Sequence, residues 1–308
     1  MMNEFYTCGK INKSAVNPEA FLQECSEAYH RKINIIAERI FEDKSKKIVM
    51  LAGPSSSGKT TTASILSRGI SWLGGRAYTV SLDDFYHPRS VGYPLDENGK
   101  PDYECVEALD IVLLRTKLGE IVESGKSQLP VFDFQSGERI NNAKSIDLCE
   151  NDIIIVEGLH ALNPIITDEL SKENLFRIYV SVSTRVYDDN GNVLLSKRDL
   201  RLIRRMVRDF RFRSTSVERT FEIWQSVMRG EDKYLFPYEP LADVKVDSFH
   251  PCEPCVFSGR AIQLLSGVKK PEYTEKAKSL SDKLGLFVNT DYSLLPADSL
   301  LREFTGAD

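Results

Sequence analysis

Lys47-Ile-Val-Met-Leu-Ala52 runs directly into Gly53-Pro-Ser-Ser-Ser-Gly58-Lys59-Thr60, and this junction decides the fold. The apolar run, closed by Gly53 and Pro54, has the pattern of a short parallel strand buried on both faces. The segment after it satisfies G-x-x-x-x-G-K-[ST], and Lys59 to Trp72 reads as a helix. Glycines let the backbone curl so that successive N–H groups point at phosphate oxygens, and the helix N-terminus adds its dipole. Lys59 then reaches the β and γ oxygens, and the Thr60 hydroxyl is placed for Mg²⁺, a hard cation that takes oxygen ligands. Ser55, Ser56 and Ser57 keep the loop small and polar. Gly53, Ser55, Ser56, Ser57, Gly58, Lys59, Thr60 and Thr61 are therefore the ATP-binding candidates here. The alternative is a Gly/Ser turn that fits the pattern by chance.

Working outward, Arg76 to Leu82 reads as a second strand, Ile153 to Val156 as a third, Arg177 to Val182 as a fourth and Ala242 to Val246 as a fifth. Helical stretches separate several of them, which implies a doubly wound, mostly parallel five-stranded sheet with ligands at the carboxyl ends of its strands. Pro18 to Asp43, with Phe21, Ile35, Ile36, Ile40 and Phe41, reads as a helix preceding the core. Between the second and third strands lie a helix from about Cys105 to Ser124 and a Pro-flanked segment from Leu129 to Ser136. An insertion of that size at the catalytic edge is a natural acceptor pocket. Asn190-Gly191, between β-prone arms, predicts a small hairpin over 186–195. From Val256 onward the chain reads as a helical tail.

The second strand ends in Asp83-Asp84 and the third in Glu157-Gly158. A hydroxyl acceptor must lose its proton as a phosphoryl group arrives, and a carboxylate can take it. Asp83 is the candidate base, and Asp84 reads rather as a turn or cap. Glu157, beside the cradle, fits a Mg²⁺ site together with Thr60 and Asp83; a solvated strand-end glutamate is the bland reading. In Lys197 to Arg213, Leu200, Ile203, Met206, Val207 and Phe210 form an apolar stripe, with Arg198, Arg201, Arg205 and Arg208 opposite it. That pattern predicts a packed face and a cationic face, the latter either a triphosphate clamp or simply solvated. Arg211 and Arg213 fall where the pattern fades, as in a lid.

The chain has 308 residues, 42% hydrophobic and 28% charged, enough for one large α/β domain with additions or two modest ones. A formal charge of -5 argues against a general affinity for nucleic acid or anionic lipid. No apolar run is long enough to span a bilayer, and Met1 to Lys13 lacks the pattern of a signal peptide. Scattered cysteines point to a reducing, cytoplasmic setting. Cys252-Glu-Pro-Cys255 invites a metal reading, but no second C-x-x-C completes a shell, and an incidental surface pair is the expectation.

Taken in order, Gly53 to Thr60, Ser81-Leu-Asp-Asp-Phe-Tyr86, Pro130-Val-Phe-Asp-Phe134, Val156-Glu-Gly158, Arg204-Arg-Met-Val-Arg-Asp209 and Leu241-Ala-Asp243 resemble the uridine kinase and phosphoribulokinase family of P-loop kinases. The likeness covers about Lys46 to Asp247. It implies a P-loop kinase fold with a helical lid, Asp83 as base, Glu157 helping to hold magnesium, and Arg205, Arg208 and Arg213 serving ATP from the lid. It puts Glu104 on ribose hydroxyls, with helix capping as the alternative role, and places Tyr86, Phe132 and Phe134 at the acceptor. Uridine kinases carry a tyrosine and a histidine where this chain has Phe132 and Gly137, so both polar readers of a pyrimidine edge are missing. Such a loss weakens pyrimidine selection or changes the substrate. His87 is a candidate substitute, against a simply solvated loop histidine.

The expectation is thus a helical lead over 1–45, a P-loop kinase domain over 46–250 and a C-terminal helical extension over 251–308 packed on it. ATP and Mg²⁺ are the expected cofactors, and a small-molecule alcohol, foremost a nucleoside 5′-hydroxyl, the expected acceptor, with homo-oligomerisation left open. Rivals are another sugar or pantothenate-like alcohol, and a non-catalytic nucleotide-binding regulatory module. A GTPase is disfavoured by the lack of an N-K-x-D motif.

Overall fold

In the computed structural model, which describes residues 5–306, the chain opens with β1 (Tyr6–Thr7), α1 (Cys8–Ser14) and the long α2 (Pro18–Glu42). The cradle unit follows as β2 (Ile48–Ala52), α3 (Lys59–Trp72) and β3 (Ala77–Ser81). The insertion comprises α4 (Ile111–Ser124) and a hairpin of β4 (Lys126–Asp133) and β5 (Glu138–Asp147). Next come β6 (Ile153–Glu157), α5 (Pro164–Thr167), β7 (Leu175–Ser181), β8 (Val186–Tyr187) and β9 (Val193–Leu195). Then α6 (Lys197–Arg213), α7 (Val217–Tyr234), β10 (Val244–Asp247), α8 (Glu253–Leu265), α9 (Pro271–Leu284) and α10 (Arg302–Thr305) complete the described chain.

The main sheet has the order β10-β7-β2-β6-β3, and every adjacent pair is parallel. β7, β2 and β6 take the three interior positions because nearly all their residues are buried, as strands covered on both faces must be. β3 lies at an edge and is only partly covered. The predicted hairpin forms from β8 and β9, and β1 joins it parallel to β8. The insertion helix begins later than its pattern suggested, at Ile111, because the Asp110 side chain accepts from Leu113 N–H and caps it there.

In α2 the buried face is Phe21, Leu22, Cys25, Tyr29, Ile33, Ile36, Ala37 and Ile40, the three- and four-residue spacing of one stripe. Ile35, expected inside, is 65% exposed, one step off that stripe. α2 packs on α3 so closely at Gly69 that an added Cβ would stand 2.9 Å from the Ala37 Cβ. One apolar cluster joins Ile33 of α2, Val49 and Ile155 of the sheet, and Phe257, Leu300 and Phe304 of the tail. A second, on the other sheet face, joins Met50 and Ile154 to Leu114 and Leu118 of α4.

Cys252 and Cys255 are not a surface pair: they are 1% and 0% exposed at the start of α8. Burial pushes the Cys255 thiol up to about 12, so it behaves as a small apolar side chain. Among the described residues no helix is long and apolar enough to cross a membrane.

Candidate active site

The turn after β2 is shaped by glycines at two points. An added Cβ on Gly53 would stand 2.1 Å from the Val180 carbonyl oxygen, so the loop can leave the sheet only without a side chain. Gly58 caps α3 at φ 85°, in the left-handed region. The first bond inside the helix is Thr62 N–H to Gly58 O, so the N–H groups of 59–61 lie ahead of the helical ladder. Lys59 Nζ folds back to donate to Pro54 O at 3.3 Å. The Ser56 and Ser57 hydroxyls are buried with no partner, orphaned polar atoms in a loop built for oxygen-rich ligands.

Parallel pairing brings the acidic strand ends to this loop. Ser81 pairs in register with Glu157, and its hydroxyl donates to Glu157 Oε1 at 2.9 Å. Gly158 N–H donates to Leu51 O, closing β6 against the strand that feeds the cradle. Asp83 sits in the helical turn after β3, open to solvent on one side and crowded by protein on the other. That crowding pushes its carboxyl up, Lys59 pulls it down, Asp84 pushes it up and Arg213 pulls it down. Glu157 is likewise raised, first by burial, with Lys59 opposing and Asp83 adding. Asp83, Glu157 and Lys59 thus share one electrostatic site. Asp84 faces elsewhere: it accepts from Phe132 N–H at 3.2 Å and pairs with Lys144 at 3.0 Å, a structural role.

The arginine helix departs from the two-faced expectation. Of the predicted cationic face, Arg201 and Arg205 are 3% and 9% exposed while Arg198 stays outside; Arg204, not placed on that face, is 0% exposed, and Phe210 of the supposed packed stripe is 40% exposed. Burial holds because each charge has a partner. Arg201 pairs with Glu231 at 2.6 Å, and Arg204 with Glu253 at 2.5 Å. Arg205 Nη1 donates to Ser55 Oγ at 2.7 Å, and Arg204 Nη1 to Ser56 O at 3.3 Å. Glu231 accepts from Ser55 N–H at 2.9 Å. Arg205, Arg208 and Arg213 converge on the single buried Asp209, at 3.2, 2.7 and 3.6 Å, leaving an excess of positive charge beside the cradle. α6 stays helical through Arg213, so Arg211 and Arg213 belong to its last turn.

The residues expected at the acceptor are largely aromatic. Tyr86 stands between Phe132 at 5.7 Å, Phe134 at 6.1 Å and Tyr93 at 6.3 Å, and Tyr93 meets Tyr103 at 4.9 Å. The phenol tips are spent internally: Tyr86 O–H donates to Tyr103 O, and Tyr93 O–H to His87 O. Glu104, its stem against Gly230, has its carboxyl raised to about 7 by burial, with Arg205 opposing and Glu231 adding. Gly137 has φ 75°, and the space a Cβ would take is 2.3 Å from Arg89 Cδ. Arg89 N–H donates to Gly137 O, and its Nη2 to Phe134 O at 2.9 Å.

The candidates Lys59, Asp83, Glu157, Glu104, Arg205 and Arg213 therefore gather around one cleft. Sequence reasoning missed the partner acids. Glu231 follows Trp224 and Val227 at the spacing of one buried stripe, and Glu253 lies between buried Cys252 and Pro254; a charge on an apolar face was the available signal. Glu303, between buried Leu301 and Phe304, is another: it accepts from Thr61 Oγ1 at 2.7 Å.

A phosphate loop after the first strand of a parallel sheet, with acidic strand ends beside its lysine, defines a P-loop kinase fold, and this chain is a kinase-family phosphotransferase. A model of the phosphoribulokinase/uridine kinase family matches residues 48–252, and the chain belongs to that family. Uridine kinases of Staphylococcus aureus strains JH9 and Newman are 28% identical over 203 residues, covering 65% of this chain and 87% of theirs. The crystal structure of a candidate fructose transport system kinase from Silicibacter sp. TM1040 shares the fold at a TM-score of 0.51 and 17% identity, covering 70% of this chain and 98% of that one.

Proposed function

We propose that this chain transfers the γ-phosphoryl group of ATP to a small-molecule hydroxyl, with a nucleoside 5′-hydroxyl as the acceptor. The observation that carries the reading is the meeting of Asp83 and Glu157 at the lysine of the cradle, each carboxyl raised by its surroundings and pulled down by Lys59. In this reading Gly53, Gly58 and the serines wrap the β-phosphate region, and Lys59 neutralises charge on the β and γ oxygens. Arg205, Arg208 and Arg213 hold the triphosphate from the lid side.

Asp83 accepts the acceptor's hydroxyl proton as the new P–O bond forms and the bond to the β-bridging oxygen breaks. A carboxyl raised by crowding is a better proton acceptor than a free aspartate, and Lys59 beside it favours the ionised form. The residues fit magnesium: the Thr60 hydroxyl is open to the cleft, Glu157 offers a carboxylate, and the orphaned hydroxyls show a loop made for a polar guest. Bound there with the triphosphate, the ion would neutralise phosphate charge. Glu104 accepts from vicinal ribose hydroxyls, and Tyr86, Phe132 and Phe134 supply apolar walls for a flat ring. The family membership and the uridine kinase relatives support this acceptor.

Gly137 and Phe132 favour a second reading, another sugar or alcohol, because neither offers a polar group to a base edge. Turnover of ATP against a panel of nucleosides, sugars and pantothenate-like alcohols separates the two. Asp83→Asn is expected to keep ATP binding and to lower kcat by roughly 10²–10⁴-fold. Undiminished turnover would remove Asp83 from the base role.

A further inference from the structure

The tail beyond the family match touches the cradle directly. Leu300 is 0% exposed and sits against Gly58, where an added Cβ would stand 2.6 Å from its Cδ1. Phe304, also fully buried, lies with its ring 5.2 Å from the Arg204 guanidinium, the same group that donates to Ser56 O. Arg302 ties the segment by donating to the carbonyls of Ser293, Leu295 and Gly306. These contacts hold Glu303 over the first turn of α3, where its Oε2 accepts from Thr61 Oγ1 at 2.7 Å and from Thr61 N–H at 3.3 Å.

Thr61 N–H is the last donor of the loop before the helical ladder begins. In a phosphate loop whose lysine serves the β and γ positions and whose threonine hydroxyl serves the metal, the remaining first-turn donor faces the α-phosphate. The tail and α3 also bound an open groove of about 280 Å³ whose lining includes Thr60, Thr61, Ser64, Arg68 and Glu303. A carboxylate therefore occupies an anion position of the cradle, supplied by the chain itself, at the mouth of a groove continuous with it.

We propose that the C-terminal tail forms a wall of the nucleotide site: the groove receives the α-phosphate and ribose of the nucleotide, and the Glu303 side chain leaves Thr61 as they enter. The proposal rests on reading the cradle as a nucleotide site. Leu300 and Phe304 stay seated, so only the Glu303 side chain turns, and its charge selects against weakly held anions because a newcomer must displace it. Two like charges cannot share one donor at close range without cost.

The test is calorimetric titration of Mg·ADP into the full chain and into Glu303→Gln and Glu303→Asp, with thermal melting to check that each is folded. Glu303→Gln removes the charge, and Glu303→Asp falls a methylene short of Thr61. Both are expected to bind ADP tighter than the parent protein, by about tenfold for Glu303→Gln given partial solvent screening. Equal or weaker binding by both folded variants, with the parent binding ADP, overturns the tail proposal alone. No ADP binding by the parent or either variant overturns the nucleotide reading of the cradle along with it.

Discussion

The two halves of the cleft are built by opposite means. On the cradle side, the arginines that hold the loop are buried and paired: Arg201 with Glu231, Arg204 with Glu253, Arg205 with Asp209. On the acceptor side, the walls are rings whose hydroxyls are tied to nearby carbonyls, and the residue that crowds Gly137 is an exposed arginine. The cradle must present one fixed array of donors to a ligand whose phosphates do not vary, and buried ion pairs fix geometry well. The aromatic wall, the acceptor side in the proposed function, commits few polar groups, so substitutions there need not disturb the loop.

That contrast can be broken at the cradle first. Glu253→Ala leaves Arg204 buried without its partner and is expected to lower unfolding free energy by about 3–5 kcal/mol. Urea unfolding measures it; a loss below about 1 kcal/mol would mean that Ser248, whose hydroxyl and carbonyl also accept from Arg204, and Ser56 O hold Arg204 alone. Glu231→Gln is the next largest. It weakens a charge-assisted bond to Ser55 N–H and is expected to raise KM for ATP by roughly tenfold or more, with kcat little changed. A fall in kcat at constant KM would make Glu231 a participant in the chemical step rather than a positioning residue.

The acceptor side should respond differently. Gly137→Ala strains a residue at positive φ and collides with Arg89, at a cost of order 1–3 kcal/mol. The expected signature is a changed KM for the acceptor with KM for ATP unaffected, and equal changes in both would erase the division drawn between the halves. The smallest effect concerns Glu104, whose carboxyl is raised to about 7. Only the ionised form accepts two hydroxyls, and ionisation grows as pH rises, so acceptor KM should fall about threefold from pH 6.5 to 7.5. A KM that rises over this interval would assign Glu104 a donor role.

The sheet was legible because its strands are short apolar runs between turn signals, and the cradle because a phosphate loop needs glycine and lysine at fixed spacing. Asp83 and Glu157 could be read from where their strands end. The helix of arginines was legible as a helix but not in its orientation, because Arg201 and Arg204 bury only by virtue of acids thirty or more residues away, which no local period reveals. Arg89 at Gly137 was invisible for the same reason: its side chain comes to the hairpin from another segment.

Glu303 follows Thr61 by 242 residues, yet its carboxylate rests on the first turn of α3. At ribosomal speeds of about 5–20 residues per second, the cradle waits roughly 12 to 48 s after it emerges before Leu300 can cover Gly58. During synthesis the phosphate loop therefore exists first without its lid of leucine and phenylalanine. A messenger truncated upstream of residue 300 would yield a chain whose sheet is complete but whose nucleotide helix starts against water.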